Sequence, residues 1–222
     1  MAFPRRVRAV IFDVDGVVVN SELIFLNSAT RYLESHGVHP ELPQLTRFLG
    51  KSEVFAATTI ANEMLEGRVT PEEAHEGIYG EGCGYEDLGR LDPMPGLPAF
   101  LEWMRQNDMP AAIATSGTAA RVKLVVGGAG CLDAFDVIAT VDDTGVCKPD
   151  PAIFNVAAER LEQRGIERGQ MIAIEDSANG IASAKGAGLY TVGFTGSGIP
   201  QDVSQADVVV TTFAELQTLI ER

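Results

Sequence analysis

The chain has 222 residues, 45% of them hydrophobic, and a formal net charge of −14. This length fits one large domain or a core with an insertion, and the apolar content is enough to bury a substantial core. The acidic balance argues against a nucleic-acid partner, because phosphate-backbone binding needs clustered Lys and Arg, and no apolar run is long enough to span a membrane.

The first predicted element is a buried strand over residues 7–12, an apolar run that ends in Asp13-Val14-Asp15-Gly16. Side chains two residues apart on a strand point to the same side, so the carboxylates of Asp13 and Asp15 project together. Carboxylates this close need a shared proton or a cation between them, and the pattern favours a hard cation such as Mg²⁺. An ordinary strand-to-turn junction is the alternative. An EF-hand loop is excluded, because Gly16 comes too early for it.

The region 21–92 lacks a convincing strand, and three helices are predicted to begin at Ser21, Ser52 and Thr70. The first of them carries an apolar stripe made of Leu23, Leu26 and Leu33. The third has the strongest start signal, since Thr70-Pro71-Glu72-Glu73 combines an N-cap, a proline and a capping glutamate. A helical insertion directly after the first strand is either a lid over the strand ends or a packed subdomain without mobility.

The rest of the chain alternates between predicted strands and helices. The later strands are predicted at residues 111–115, 137–140, 171–174, 190–194 and 207–210, and the helices at 97–106, 119–127, 151–164 and 180–187. This alternation predicts a doubly wound α/β fold with a parallel sheet covered on both faces. Ligands of such folds bind beyond the carboxyl ends of the strands.

Two polar segments fall where such a ligand would lie. Thr115-Ser116-Gly117 follows a predicted strand and is suited either to holding phosphate oxygens or to capping the next helix. Glu175-Asp176 follows another strand, and it is either a second acidic contribution to a metal site or a helix N-terminus with favourable dipole placement.

Lys148 precedes a predicted helix in the segment Cys147-Lys148-Pro149-Asp150-Pro151. The flanking prolines stiffen the backbone there, and a fixed ammonium could balance the carboxylates and a phosphoryl group. A solvated surface lysine is the alternative interpretation.

Taken in order, these motifs resemble the haloacid dehalogenase-like superfamily. The matching segments are Asp13-Val14-Asp15-Gly16-Val17, Thr115, Lys148-Pro149 and Glu175-Asp176-Ser177-Ala178-Asn179-Gly180. The resemblance covers nearly the whole chain and implies a Rossmann-like core at residues 1–20 and 93–222. Residues 21–92 are similar to the helical cap of the branch that contains β-phosphoglucomutase and phosphoglycolate phosphatase.

The resemblance implies a role for each matching residue. Asp13 is expected to be the nucleophile that forms an aspartyl-phosphate, and Asp15 the general acid and base. Mg²⁺ is expected to be held by Asp13, the backbone carbonyl of Asp15 and Asp176, with Glu175 assisting. Thr115 and Lys148 are expected to grip the phosphoryl group, together with Ser116 and Gly117.

We therefore expect a Mg²⁺-dependent phosphatase acting on a small phosphorylated metabolite, with a sugar phosphate as the favoured class. A phosphosugar mutase is the alternative, although the segment 22–26 lacks the cap histidine of β-phosphoglucomutases. A receiver-like module that binds a phospho-ligand without catalysis is a third interpretation. The presence of Asp15 argues against a dehalogenase or a phosphonatase.

Substrate specificity is expected to come from the cap, where Lys51 is a candidate contact or a solvated lysine beside a helix start. Arg121 and Lys123 follow Thr115 on a predicted helix and could also contact the substrate or be merely exposed.

The three cysteines are odd in number, and their spacing fits no zinc motif. The basic N-terminal segment lacks the apolar core of a signal peptide, so we expect a cytoplasmic protein. We also expect a monomer or a weak homodimer.

Overall fold

The computed structural model describes residues 3–49 and 53–221. The chain divides into two compact units, of which one combines Met1–Asn20 with Arg90–Arg222 and the other is Ser21–Gly89. The sequence analysis places the end of the smaller unit at residue 92, three residues later. No helix in the described ranges has both the length and the apolar character needed to cross a bilayer.

The larger unit is built on six parallel strands in the order β3-β2-β1-β4-β5-β6. The strands are β1 (Ala9–Phe12), β2 (Ala111–Ala114), β3 (Val137–Ala139), β4 (Met171–Glu175), β5 (Tyr190–Phe194) and β6 (Val208–Val210). The order reverses at β1, which lies between β2 and β4, so the loops after these three strands meet at a topological switch point. This arrangement confirms the predicted doubly wound α/β fold.

Six helices accompany the sheet in the described residues of this unit. They are α5 (Leu97–Gln106), α6 (Ala119–Gly128), α7 (Val141–Thr144), α8 (Ala152–Glu162), α9 (Ala178–Gly186) and α10 (Phe213–Ile220). Short 3₁₀ turns occur at Leu132–Ala134 and Arg168–Gln170. The sequence analysis missed α10, although Thr212 and Glu215 form a reciprocal capping box at its start.

Apolar side chains on both sides of the central strand explain why it is buried along its whole length. Phe12 packs edge-on against Phe100 and Phe135, while Ala9 and Ile11 belong to a cluster that includes Phe154 of α8. A fully buried side chain of this size contributes about 1.5–3 kcal/mol relative to exposure. The core thus fixes the strand from which the first acidic motif projects.

The smaller unit contains helices throughout its described part. They are α1 (Glu22–Ser35), α2 (Leu42–Thr46), α3 (Glu53–Thr59) and α4 (Pro71–Tyr79), with a π-helical turn at Ile60–Met64 and a 3₁₀ segment at Tyr85–Arg90. Helices α1 and α4 approach closely at Gly77, where an added Cβ would lie 2.0 Å from the Tyr32 ring. The Ser28 hydroxyl reinforces this contact by donating to the Ile78 carbonyl at 2.6 Å.

Four predictions for this unit have different outcomes. Thr70 and Glu73 form the predicted capping box, with bonds of 3.1 and 2.8 Å, and this prediction is confirmed. Ser21 precedes α1 in an αR conformation and makes no side-chain cap, because an N-cap needs extended backbone angles. Leu23 is 43% exposed, whereas Leu26 and Leu33 are buried, so the predicted stripe was wrong at its first position. Ser52 lies outside the described residues.

Candidate active site

The carboxyl ends of β1 and β4 bring three carboxylates together. Phe12 pairs with Ile174, and the Asp13 amide continues the ladder by donating to the Ile174 carbonyl at 3.0 Å. This register sets Asp13 beside Glu175, and Asp176 follows directly. One carboxylate oxygen from each of the three lies within 4.8 Å of the others, and all three residues are buried.

Lys148 balances part of this negative charge. Its Nζ donates to Asp13 Oδ1 and, at 2.5 Å, to Glu175 Oε1, and only 7% of its side chain is exposed. The Phe154 ring lies below the ammonium, 4.8 Å from centroid to Nζ. The backbone amide of Lys148 donates to Ser116 Oγ at 3.1 Å, which ties the lysine loop to the segment after β2.

Burial and charge act in opposite directions on these ionisable groups. Burial, together with the nearby carboxylates of Glu175 and Asp15, raises the pKa of Asp13 to about 7, although Lys148 opposes the shift. Burial disfavours the charged ammonium of Lys148, yet the carboxylates of Asp13 and Glu175 hold its pKa above the ordinary value. Both shifts show that the site favours positive charge.

Glu175 is fixed through both carboxylate oxygens. Oε1 accepts from Lys148, and Oε2 accepts from the Ser177 amide at 3.2 Å and the Ser177 hydroxyl at 3.0 Å. Helix α9 passes so close that a Cβ on Gly180 would lie 1.8 Å from Oε1. These contacts hold the Glu175 carboxylate in one orientation at the edge of the acidic cluster.

Asp176 lies against the loop that follows β1. Gly16 has a φ of +80°, and a Cβ there would lie 1.9 Å from Asp176 Oδ2, so glycine is required on both counts. The Gln201 amide donates to the same oxygen at 3.3 Å. The sequence analysis missed Gln201, and no signal in its surroundings marks it, since it lies in an irregular segment between β5 and β6.

An ion pair joins the loop after β1 to helix α6. Arg121 of α6 donates from a terminal nitrogen to Asp15 Oδ1 at 2.9 Å. Thr115 is buried at the end of β2, and its Oγ1 accepts from the Gly117 amide at 3.0 Å. Of the predicted site residues, the structure brings Asp13, Lys148, Glu175 and Asp176 together. Asp15 lies on the loop after β1, and Thr115, Ser116 and Gly117 lie directly after β2.

Lys51, the predicted cap contact, lies outside the described residues. Lys123 is exposed on α6.

The acidic cluster has the chemistry of a hard-cation site. Its donors are carboxylate oxygens, which Mg²⁺ prefers over nitrogen or sulfur ligands. The absence of a Cβ at Gly16 leaves room for the Asp176 carboxylate beside the β1 loop. The residues present therefore fit a divalent cation.

The family model for haloacid dehalogenase-like hydrolases matches residues 7–188 of the chain. The protein therefore belongs to this family of hydrolytic enzymes, and the recognition made from the motifs is confirmed. β-Phosphoglucomutase is among the solved structures that share the fold.

Two relatives and one solved structure illustrate the similarity. Validoxylamine A 7′-phosphate phosphatase of Streptomyces hygroscopicus subsp. limoneus is 27% identical over 215 residues, which are 95% of this chain and 96% of that protein. The phosphorylated carbohydrates phosphatase of Thermotoga maritima is 28% identical over 185 residues, 83% of each chain. A haloacid dehalogenase family hydrolase from Deinococcus radiodurans, crystallised with phosphate and sodium, gives a TM-score of 0.83 at 25% identity, covering 99% of this chain and 96% of that one.

Proposed function

We propose that the protein is a Mg²⁺-dependent phosphatase that hydrolyses a small phosphorylated metabolite through an aspartyl-phosphate. The observation that carries this proposal is the buried cluster of Asp13, Glu175 and Asp176 with the Lys148 ammonium between two of its members. Buried charges of this kind are costly to a fold, so their concentration at the strand ends favours a catalytic purpose.

In the first chemical step, an Asp13 carboxylate oxygen attacks phosphorus and the bond from phosphorus to the leaving oxygen breaks. Asp15 gives its proton to that oxygen, which leaves as an alcohol. Lys148 and the Thr115 hydroxyl hold the phosphoryl oxygens. When bound by Asp13, Asp176 and the Asp15 carbonyl, Mg²⁺ supplies charge neutralisation that lets one anion approach another.

In the second step, a water oxygen attacks phosphorus and the bond between the Asp13 carboxyl oxygen and phosphorus breaks. Asp15, now ionised, takes the proton of that water, and inorganic phosphate is released. The enzyme returns to its starting protonation state, so the two steps balance.

A phosphorylated sugar is the proposed substrate class. The relative from Thermotoga maritima is named for phosphorylated carbohydrates, which supports this choice. Lys51 is retained as a proposed cap contact to the substrate. A cytoplasmic location is proposed from the three cysteines, all of which are free.

The decisive experiment measures phosphate release from a panel of phosphorylated sugars, small phosphorylated acids and p-nitrophenyl phosphate, with Mg²⁺ or with EDTA. Asp13→Asn is compared with the wild type and with Asp133→Asn, the same chemical change at an exposed position. We expect activity that requires Mg²⁺, persists in Asp133→Asn and falls by about 10⁴-fold or more in Asp13→Asn.

Turnover that survives in Asp13→Asn would refute the assigned nucleophile. Formation of an isomeric phosphosugar in place of free phosphate would instead assign the protein to the mutases.

A further inference from the structure

The Arg121 side chain connects the start of α6 to the loop after β1, and both flank the proposed phosphoryl site. Its guanidinium contacts Asp15 on the loop after β1, whereas its backbone belongs to α6, which follows the turn after β2. The two residues are separated by 106 positions in the chain. This contact therefore exists only in the folded site.

The arginine stem passes close to Gly117. A Cβ at Gly117 would lie 3.2 Å from Arg121 Cδ and 3.4 Å from Thr115 Oγ1, so the arginine stem crosses the turn where other residues would carry a side chain. Thr118 caps α6 by accepting from the Arg121 amide at 3.2 Å, which fixes the base of the stem. The guanidinium is thus directed from a rigid helix start.

The magnitude of the contact argues for positioning over stability. The side chains of Arg121 and Asp15 are 33% and 28% exposed, and an ion pair so accessible to solvent adds little to the stability of a fold. Orientation matters far more in catalysis, because a misplacement of about 1 Å can lower a rate by about 10²-fold.

We propose that Arg121 is a positioning residue that holds the Asp15 carboxyl where it exchanges protons with the leaving oxygen. The inference rests on the proposed function, in which Asp15 is the general acid, and it deepens that proposal by adding a residue that touches neither substrate nor metal.

The test compares two substrates whose leaving groups differ in their need for a proton. The value of kcat/KM reports the steps through phosphoryl transfer to Asp13. An alkyl leaving group, as in glycerol 2-phosphate, needs the proton of the general acid, whereas the p-nitrophenolate of p-nitrophenyl phosphate departs without one. A variant that disturbs only the acid therefore loses activity selectively on the alkyl phosphate.

The variants are Arg121→Met, which keeps a long stem over Gly117, and Arg121→Lys, which keeps the charge. Arg105→Met makes the same chemical change at an exposed arginine of α5, which pairs with Glu102, and serves as the control. For Arg121→Met we expect kcat/KM to fall about 10- to 100-fold on glycerol 2-phosphate and less than about 3-fold on p-nitrophenyl phosphate. Arg121→Lys should recover part of the loss, and Arg105→Met should match the wild type.

The single variant Asp15→Asn and its double variant with Arg121→Met distinguish the general-acid role of Asp15 from the positioning role of Arg121. Asp15→Asn should show the same selectivity, and adding Arg121→Met to it should cause no further loss, since both act through one carboxyl. Selectivity in Asp15→Asn but not in either Arg121 variant would overturn the positioning role alone. Equal losses on both substrates in the Arg121 variants would also overturn it, because they would indicate direct binding of the phosphoryl group. A non-selective Asp15→Asn would refute the general acid itself, and Arg121 positioning with it.

Discussion

The two units of the molecule differ in what they bury. The larger unit buries three carboxylates at its strand ends, whereas the buried polar residues in the described part of the smaller unit are two serines, Ser21 and Ser28. A buried hydroxyl is easily satisfied, and Ser28 donates to a backbone carbonyl. Buried carboxylates are stable only with paired charge or bound cations. The difference supports the proposal that the larger unit carries the chemistry, while the buried residues in the described part of the smaller unit are those of an ordinary helical core.

The largest expected effect on activity comes from replacing Lys148, the buried cation of the larger unit. Lys148→Met should lower kcat/KM by about 10²–10³-fold, because a fixed donor to the transferred phosphoryl group is lost. Steady-state kinetics on p-nitrophenyl phosphate with saturating Mg²⁺ would measure the effect.

Lys185→Met is a matched control, since Lys185 is an exposed residue of α9 whose ammonium pairs with Asp207 at 3.2 Å. It should retain wild-type kinetics. Near-normal activity in Lys148→Met would mean that the buried ammonium is structural.

Gly180 offers a test of packing within the acidic cluster. Gly180→Ala places a methyl group 1.8 Å from Glu175 Oε1, so the carboxylate or the helix must move. We expect a loss of about 1–3 kcal/mol in the free energy of unfolding, measured by urea denaturation.

Gly127→Ala is the control for this substitution. Gly127 lies in α6, and a Cβ there would be at an ordinary contact distance of 3.8 Å from the Leu132 side chain. It should be neutral or stabilise by about 0.4–1 kcal/mol through the unfolded state. Equal stabilities of the two variants would contradict the close contact between α9 and Glu175.

The sequence predicted the sheet well because local signals and global topology agree there. The strand Tyr190–Phe194 has the bounds expected from the apolar run, and β1 and β4 end at the acidic residues that marked their limits. Carboxyl ends of neighbouring parallel strands lie at one edge, so the meeting of Asp13 with Glu175 follows from the strand order. The roles assigned to these residues stay predictions until the variants are measured.

Other contacts were beyond prediction because they depend on side-chain direction and loop paths. The sequence analysis left Arg121 as either a substrate contact or an exposed residue, since nothing local identifies Asp15 as its partner. Gln201 reaches Asp176 from a segment without periodicity. Leu23 fits a helical stripe by spacing, but the face buried by α1 is set by its neighbours in the fold.

Thr70 gives the smallest expected effect and completes the comparison from the side of the smaller unit. Thr70→Ala removes the hydroxyl that accepts from the Glu73 amide, while Thr70→Ser keeps it. The alanine variant should lose about 1 kcal/mol of stability and the serine variant much less, as judged by thermal unfolding. Because the cap lies in a unit whose described part buries no carboxylate, kcat/KM on p-nitrophenyl phosphate should stay within about 2-fold of the wild type in both. A large kinetic loss in Thr70→Ala with little change in stability would break the proposed division between a chemical unit and a helical core, since it would give the start of α4 a direct part in turnover.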